Sequence, residues 1–297
     1  MSKLLAGITT YNPKLSRLKS NLTSIANQVD VVMIVDNYSN NVEDIKLLLN
    51  QYSNVIALYN GENKGIAYSM NQIGWYAYNN GFDWFLTLDQ DSVCPSGMIE
   101  QYAFYMSADV GIISPRIEFN KSFISSLFHK NSVDEFGTSK CEAVLYAISS
   151  GQLINVRAWH KADGFWNYLF IDYVDQEFCF HLSRLGFRIL RLNDCRLSHE
   201  PGINIRIMGI QTAKQSAFRE YYWVRNSRLV YWLYKDEYLR AGISRPYVVT
   251  IKRICNSILV GEQVFAKLFN IYRAVIDAYK WKYKFGSKNG RIPNNIE

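Results

Sequence analysis

Two aspartates one residue apart close an apolar run: Phe85, Leu86 and Leu88 lead into Asp89, Gln90 and Asp91. Like charges that close repel one another unless a cation or water screens them. Their oxygens suit Mg²⁺ or Mn²⁺, hard ions that take one or two carboxylates and fill the remaining positions with phosphate and water. A solvated turn assisted by Ser92 and Pro95 is the other reading the tripeptide allows. A second acidic group, Asp172, Asp175 and Glu177, lies in the aromatic segment FIDYVDQEF. On a helix Asp172 and Asp175 share a face and Glu177 points elsewhere. A carboxylate in an aromatic-lined cleft has its pKa raised and can act as a general base near neutral pH. Acidic residues also favour a helix N-terminus for its dipole alone. His199, one of four histidines, sits in RLSHEPG, where a loop could carry it to a metal or a phosphate.

Elements able to position these groups are written into the first ninety residues. Short apolar runs, LLAGI (4–8), VVMIV (31–35), VIAL (55–58) and WFLTL (84–88), alternate with polar stretches. Between the last two, Ile66, Met70, Ile73 and Ala77 recur at helical spacing. That alternation predicts βαβ units and a parallel sheet, whose ligands bind at the carboxyl ends of the strands. Those ends carry TTYNP (9–13), Asp36-Asn37, the segment 60–65 and Asp89-Gln90-Asp91, four polar groups on one edge. Further on, VGII (110–113) and QLINV (152–156) read as strands, and 173–185 as a helix stopped by Gly186. Segment 116–147 has no clean period and reads in part as a loop over the cleft.

A chain of 297 residues with 48% hydrophobic and 20% charged residues can bury a sizeable core. Five scattered cysteines without a CxxC argue for reduced thiols and against a disulfide framework or a zinc site. The N-terminus does not read as a signal peptide, and no uncharged run is long enough to span a bilayer. Together these point to a cytoplasmic protein. The net charge of +7 is uneven: residues 219–297 hold 15 Lys and Arg against 6 Asp and Glu, and the preceding part is slightly acidic. In this tail the cations Lys267, Arg273, Lys280, Lys282 and Lys284 accompany apolar residues at amphipathic spacing. Such a helix suits an anionic membrane surface. A helical subdomain or a contact between two copies would use the same pattern. No nucleic-acid-binding motif accompanies the charge.

The motifs TTYNP, VDNYS (35–39), NKGIAYSMNQI (63–73), LDQDS (88–92), SSGQLI (149–154), GFWNYLFIDYVDQEFCFHL (164–182), LSHEPG (197–202) and REYYWVRN (219–226) occur in one order. In that order the chain resembles glycosyltransferase family 2, the inverting nucleotide-sugar enzymes of GT-A fold, and within it the bacterial rhamnosyltransferases of surface polysaccharides. The resemblance implies a Rossmann-like mixed sheet flanked by helices (1–218) with a basic helical extension (219–297). It implies that Thr9, Tyr11, Asn12 and Asp36 bind the nucleoside, with Tyr11 on the base. Asn63, Lys64, Gly65, Asn71, Asp89 and Gln90 would border the diphosphate and sugar. Asp91 and Asp89, with His199, match the metal site, for Mn²⁺ or Mg²⁺. Ser150, Gly151, Trp166, Arg225 and Asn226 fall on the acceptor side. Asp175 stands where the family has its base. The residue before it is Val174 rather than Glu, which leaves Asp172 or Glu177 as substitutes.

The implied reaction is one displacement at the anomeric carbon, from dTDP-L-rhamnose to a lipid-linked saccharide in O-antigen or capsule assembly, at the inner face of the cell membrane. A UDP-hexose donor fits the same pocket. The Gln-x-x-Arg-Trp motif of processive polymerases is absent, so a single transfer is expected. Two other classes share part of the pattern. A nucleotidyltransferase would carry a Gly-rich phosphate loop near the first strand, and TTYNP is not one. A non-catalytic nucleotide-sugar-binding partner would tolerate loss of Asp175.

Overall fold

The computed structural model describes residues 3–119, 140–199, 204–207, 210–213, 215–285, 291 and 294. Its frame is β1 (Leu4–Thr10), α1 (Leu15–Ile25), β2 (Val31–Asp36), α2 (Val42–Leu49), β3 (Val55–Tyr59), α3 (Ile66–Asn79) and β4 (Trp84–Asp89). Then come α4 (Met98–Ala103), β5 (Val110–Phe119), β6 (Cys141–Ala143), β7 (Gln152–Asn155), α5 (Val156–Lys161), α6 (Val174–Arg184) and β8 (Arg188–His199). A small hairpin, β9 (Asn204–Ile207) and β10 (Ile210–Ala213), precedes four helices: α7 (Ala217–Leu233), α8 (Lys235–Arg240), α9 (Pro246–Val260) and α10 (Val264–Phe285).

Eight strands form one mixed sheet in the order β3-β2-β1-β4-β7-β5-β8-β6. β1 pairs in parallel with both β2 and β4, and its register sets Thr10 against Asp36 and Thr9 against Asp89. The polar strand ends are thereby lined up on one edge. β7 runs antiparallel between β4 and β5, which makes the sheet mixed.

Side chains alternate across the sheet, as strand geometry requires. Leu5, Met33, Val35 and Phe85 face a core shared with α3, α5 and α6. Ala6, Ile8, Val32, Ile34, Trp84 and Leu86 face a second core under α1, α2 and α4. The strand read as QLINV stops one residue early. Asn155 accepts the N–H groups of Arg157 and Ala158, so Val156 opens α5 instead.

Leu229 and Val230 of α7 and Ala278 and Trp281 of α10 lie in the same core as α3, α5 and α6. The basic region is therefore packed into the molecule, and the boundary expected at 218/219 falls inside the first turn of α7. Lys267, one of the cations expected on the solvent face of α10, is buried. All five cysteines are free thiols. No helix among the described residues is long and apolar enough to cross a membrane.

Candidate active site

At the sheet's carboxyl edge, backbone and side chains knit the strand ends together. Asp36, at the end of β2, is 1% exposed. Its Oδ1 accepts the hydroxyls of Thr10 (2.8 Å) and Ser39 (2.5 Å), and its Oδ2 accepts the N–H of Ser39 (2.8 Å). That carboxylate shapes the turn after β2. Ser39 Oγ in turn accepts from Asn12 N (2.7 Å), and Asn12 Oδ1 from Asn40 N (2.8 Å). Gln90 Oε1 accepts the N–H of Tyr11 (2.9 Å), which ties the TTYNP turn to β4. Above this network two aromatic rings stand out in solvent, Tyr11 at 49% and Tyr38 at 59% exposure.

Asn37 organises the next stretch of the edge. Its Nδ2 donates to Asn63 Oδ1 (2.7 Å), and its Oδ1 accepts from Lys64 N (3.0 Å) and Asn60 Nδ2 (3.3 Å). Asn63 Oδ1 also accepts from Gly65 N (3.0 Å). Gly65 has φ +84°, and a Cβ there would come within 2.6 Å of the ring and carbonyl of Phe170. Only glycine allows this approach. The exposed Lys64 ammonium lies 4.9 Å from the centre of the Tyr68 ring.

The two aspartates at the end of β4, Asp89 within it and Asp91 just beyond, are half-buried. Asn21 Nδ2 (2.6 Å) and Ser92 N (3.2 Å) hold the carbonyl of Asp89, and Ser150 Oγ accepts the N–H of Asp89 at 3.3 Å. Ser150 and Ser92 hydroxyls meet at 2.5 Å. A bridge between Val93 and Ser198 brings the backbone of β8's end beside this loop, and so the backbone of His199. The His199 side chain lies outside the described residues. No group of three His, Cys, Asp or Glu forms a complete metal cage among the described residues. Two half-open carboxylates are nevertheless the donor set a hard divalent ion uses when phosphate and water complete its shell. Asp89 and Asp91 fit such an ion.

Asp172, Asp175 and Glu177 differ sharply in their partners. Arg219 Nε meets both oxygens of Asp172 (3.1 Å each) and its Nη2 meets Oδ1 at 2.8 Å. Burial raises the Asp172 carboxyl all the same, against the pull of Arg219. Glu177 is fully buried, bound by Arg291 through Nε (2.6 Å) and Nη2 (2.5 Å) and by the Tyr234 hydroxyl (2.7 Å). Asp175 pairs with no cation among the described residues and accepts the N–H of Gln176 at 3.0 Å. Burial, with Asp89 and Asp172 adding to it, pushes its carboxyl up to about 7.

Several residues expected around the ligand turn inward instead. Asn71 is 1% exposed. It accepts from Phe165 N (2.7 Å) and Trp159 Nε1 (3.2 Å), and donates to Phe165 O and Asn167 Oδ1. Trp166 is buried against Trp281 of α10, ring centres 5.7 Å apart. Asn226 donates to the carbonyls of Leu169 (2.9 Å), Ile171 (2.8 Å) and Asp172 (2.9 Å). Arg225 donates to Tyr168 O (2.5 Å) and stacks against Tyr168 and Tyr222. These two side chains hold the segment 168–172 rather than line a cleft. Gly151, at φ +83°, packs on Pro115, and Tyr102 donates to its carbonyl (2.9 Å).

Beside α6 lies a cavity of about 460 Å³ lined by Pro115, Arg116, Tyr146, Ala147 and Arg191, among others. Ala147 O accepts from Gln152 Nε2 (2.8 Å) and Cys179 Sγ (3.9 Å). Cys179 follows Asp175 by one helical turn and shares its face, so the cavity wall rests on the face of α6 that carries Asp175. Tyr38, Tyr146, Arg191 and Arg219 are not singled out in the sequence, and Asn37 is marked there only as part of the strand-end pair Asp36-Asn37. Tyr38 stands in VDNYS and Arg219 in REYYWVRN, which are usable signals; Tyr146 and Arg191 have none at sequence level.

Residues 6–156 match the family described as "Glycosyl transferase family 2". The chain is 31% identical over 240 residues, 77% of its length and 80% of the relative's, to "dTDP-rhamnosyl transferase RfbF" of Shigella flexneri. Its fold is similar to that of S. aureus TarS 1–349 in complex with UDP-GlcNAc, with TM-score 0.58, 16% identity, and coverage of 96% of this chain and 92% of that one. It spans 55% of the longer TarS chain (TM-score 0.59, 15% identity, 95% of this chain). GalNAc-T7 with UDP, GalNAc and Mn²⁺ is similar over all of this chain and 60% of its own (TM-score 0.57, 13% identity). With the sequence match running through the strand ends that build the cleft, the chain belongs to glycosyltransferase family 2.

Proposed function

We propose that this glycosyltransferase is an inverting enzyme that moves one sugar, L-rhamnose from dTDP-L-rhamnose, to a lipid-linked saccharide in O-antigen or capsule assembly at the cytoplasmic face of the membrane. The observation that carries the chemistry is the division among the three acidic residues. Arg219 and Arg291 neutralise Asp172 and Glu177, which leaves Asp175 with a raised pKa between the Asp89 edge and the cavity. The donor's name rests on the relative described as a dTDP-rhamnosyl transferase; a UDP-hexose is the rival donor.

In this reading the base stacks on Tyr11, and the turn built by Asn37, Asn63 and Gly65 receives the diphosphate. Asp89 and Asp91 would hold a divalent ion, Mn²⁺ or Mg²⁺, which supplies Lewis-acid stabilisation of charge on the departing diphosphate. The acceptor enters by the cavity beside α6. Asp175 takes the proton of the acceptor hydroxyl while its oxygen bonds to the anomeric carbon. The bond from that carbon to the diphosphate oxygen breaks with its electron pair, and the configuration inverts.

A donor screen with purified protein, Mn²⁺ or Mg²⁺ and a lipid-diphosphate acceptor analogue tests the reading. Turnover is expected with dTDP-L-rhamnose, and its loss on chelation or in Asp91→Ala. Turnover with UDP-hexoses alone would replace the donor. Activity indifferent to Asp91→Ala and to chelator would overturn the mechanism.

A further inference from the structure

Helix α10 has two apolar faces. One is packed: Ile271, Ala274, Ala278 and Trp281 are buried, and α10 meets α7 along its length. Away from that contact Phe265, Phe269, Tyr272, Ile276, Tyr279 and Tyr283 recur every three or four residues, which on a 3.6-residue turn forms a single stripe, with Tyr279 at its edge meeting the Trp232 ring of α7 at 5.3 Å. Five of the six are exposed, from 57% at Tyr279 to 96% at Tyr283. The stripe is about 27 Å long at 1.5 Å per residue. Helix α9 repeats the arrangement. It packs on α7 and α10, with Val249 and Ser257 buried and the Arg253–Glu220 ion pair joining it to α7, and leaves Tyr247, Ile251 and Ile258 more than half exposed.

Cations border the stripe. Arg273, Lys280, Lys282 and Lys284 are all exposed, and residues 264–285 hold a single carboxylate, Asp277. Asp277 accepts the Tyr221 hydroxyl at 2.9 Å and lies 3.6 Å from Lys280.

We propose that this face of α9 and α10 docks on an anionic lipid bilayer, with α10 lying in the plane of the interface. Tyrosine and phenylalanine rings with flanking lysines are the composition of the headgroup–acyl boundary. A second copy of the chain would set the same cations against one another across a symmetric contact, whereas anionic headgroups complement them. The position of the face also suits a lipid-linked acceptor. Asn270 of α10 donates to Ala217 O (3.0 Å) at the start of α7, two residues before the Arg219 that grips Asp172. The docked face is thus one helix away from the acidic segment.

Sedimentation of the full chain with phosphatidylcholine vesicles, with and without phosphatidylglycerol, tests this directly. Binding to the anionic vesicles should exceed binding to neutral ones by about tenfold and weaken with salt. A Phe265→Ser, Phe269→Ser, Tyr272→Ser variant and a separate Lys280→Glu, Lys284→Glu variant should each lose about tenfold in vesicle affinity. Both should keep native circular dichroism and turnover of a water-soluble acceptor. The proposal stands apart from the proposed reaction, because vesicle binding is read without turnover. Wild-type protein that ignores anionic vesicles, or variants that bind as well as wild type, would overturn it. So would a wild-type dimer in light scattering that the stripe substitutions convert to monomer.

Discussion

Around the first turn of α6 the cations divide three acidic residues: Asp172 meets Arg219, Glu177 meets Arg291, and Asp175 pairs with no cation among the described residues. Asp175 has a folded-state pKa of about 7, raised first by burial, against about 3.9 in an unfolded chain. The folded protein therefore binds the proton more tightly. Whatever stability this gives is full below the unfolded value and lost as pH rises through about 7. An ionised Asp175 at pH 8 destabilises the fold, and Asp175→Asn should raise the melting temperature there, by an amount worth roughly 1 kcal/mol or more. The same substitution should lower turnover by about 10²- to 10⁴-fold. In the wild type kcat/KM should climb as pH rises through about 7. Residue type and spacing made the Asp89–Asp91 pair and the Asp172–Asp175–Glu177 cluster legible in sequence. Their division was not, because the partner of Glu177 lies 114 residues away. Asn71 and Arg225 look like ligand-binding residues for a similar reason: polar side chains that satisfy buried backbone are indistinguishable, in sequence, from those that meet a ligand.

Among the elements, the segment from Tyr168 to Tyr173 joins three others. Phe170, Asp172 and Tyr173 all have positive φ, 65°, 62° and 65°, a conformation that side-chain-bearing residues adopt at a cost. Phe170 O accepts the N–H groups of Ile66 (2.8 Å) and Ala67 (3.3 Å) and so caps α3, and Asn226 fixes the segment from α7. Asn226→Ala strips three carbonyls of their donor and should cost about 2–4 kcal/mol of stability by chemical denaturation. With α6 less firmly placed, kcat should fall more than the donor KM changes, because the nucleotide edge is held by other residues. Gly186 marked the end of α6, and periodicity found α3, since a helix with one buried face records that face in its sequence. It missed the cap at Asn155 that turns the chain into α5, and it had no means of finding the 168–173 corner, where backbone and tertiary hydrogen bonds set the conformation.

For the whole molecule, α7 is the member that makes one body of the mixed sheet with its flanking helices and the basic helices. Glu220, Arg225, Asn226, Ser227 and Arg228 are all buried along it, each with a partner in another element or in its own helix. The sequence revealed the charge asymmetry of this region but not its burial, because the amphipathic pattern of α10 is compatible with packing on protein or on lipid. Arg291 extends the same union. Besides Glu177 it donates to Ala162 O and Gly164 O, both at 2.7 Å. Arg291→Met would leave a fully buried carboxylate unpaired and should destabilise the protein by about 3–5 kcal/mol. A thermal melt measures this loss, and adding Glu177→Gln to Arg291→Met should recover part of it.

The pairing of Glu177 with Arg291 also sets an order of events at the ribosome. At roughly 5–20 residues per second, the 114 residues between them take about 6–23 s to make. Throughout that interval Glu177 lacks the cation that it meets in the folded chain, so the packing around α6 is completed only after residue 291 is made. A translational pause upstream of residue 291 would prolong that interval, and chaperone dependence of the nascent chain should lengthen with it.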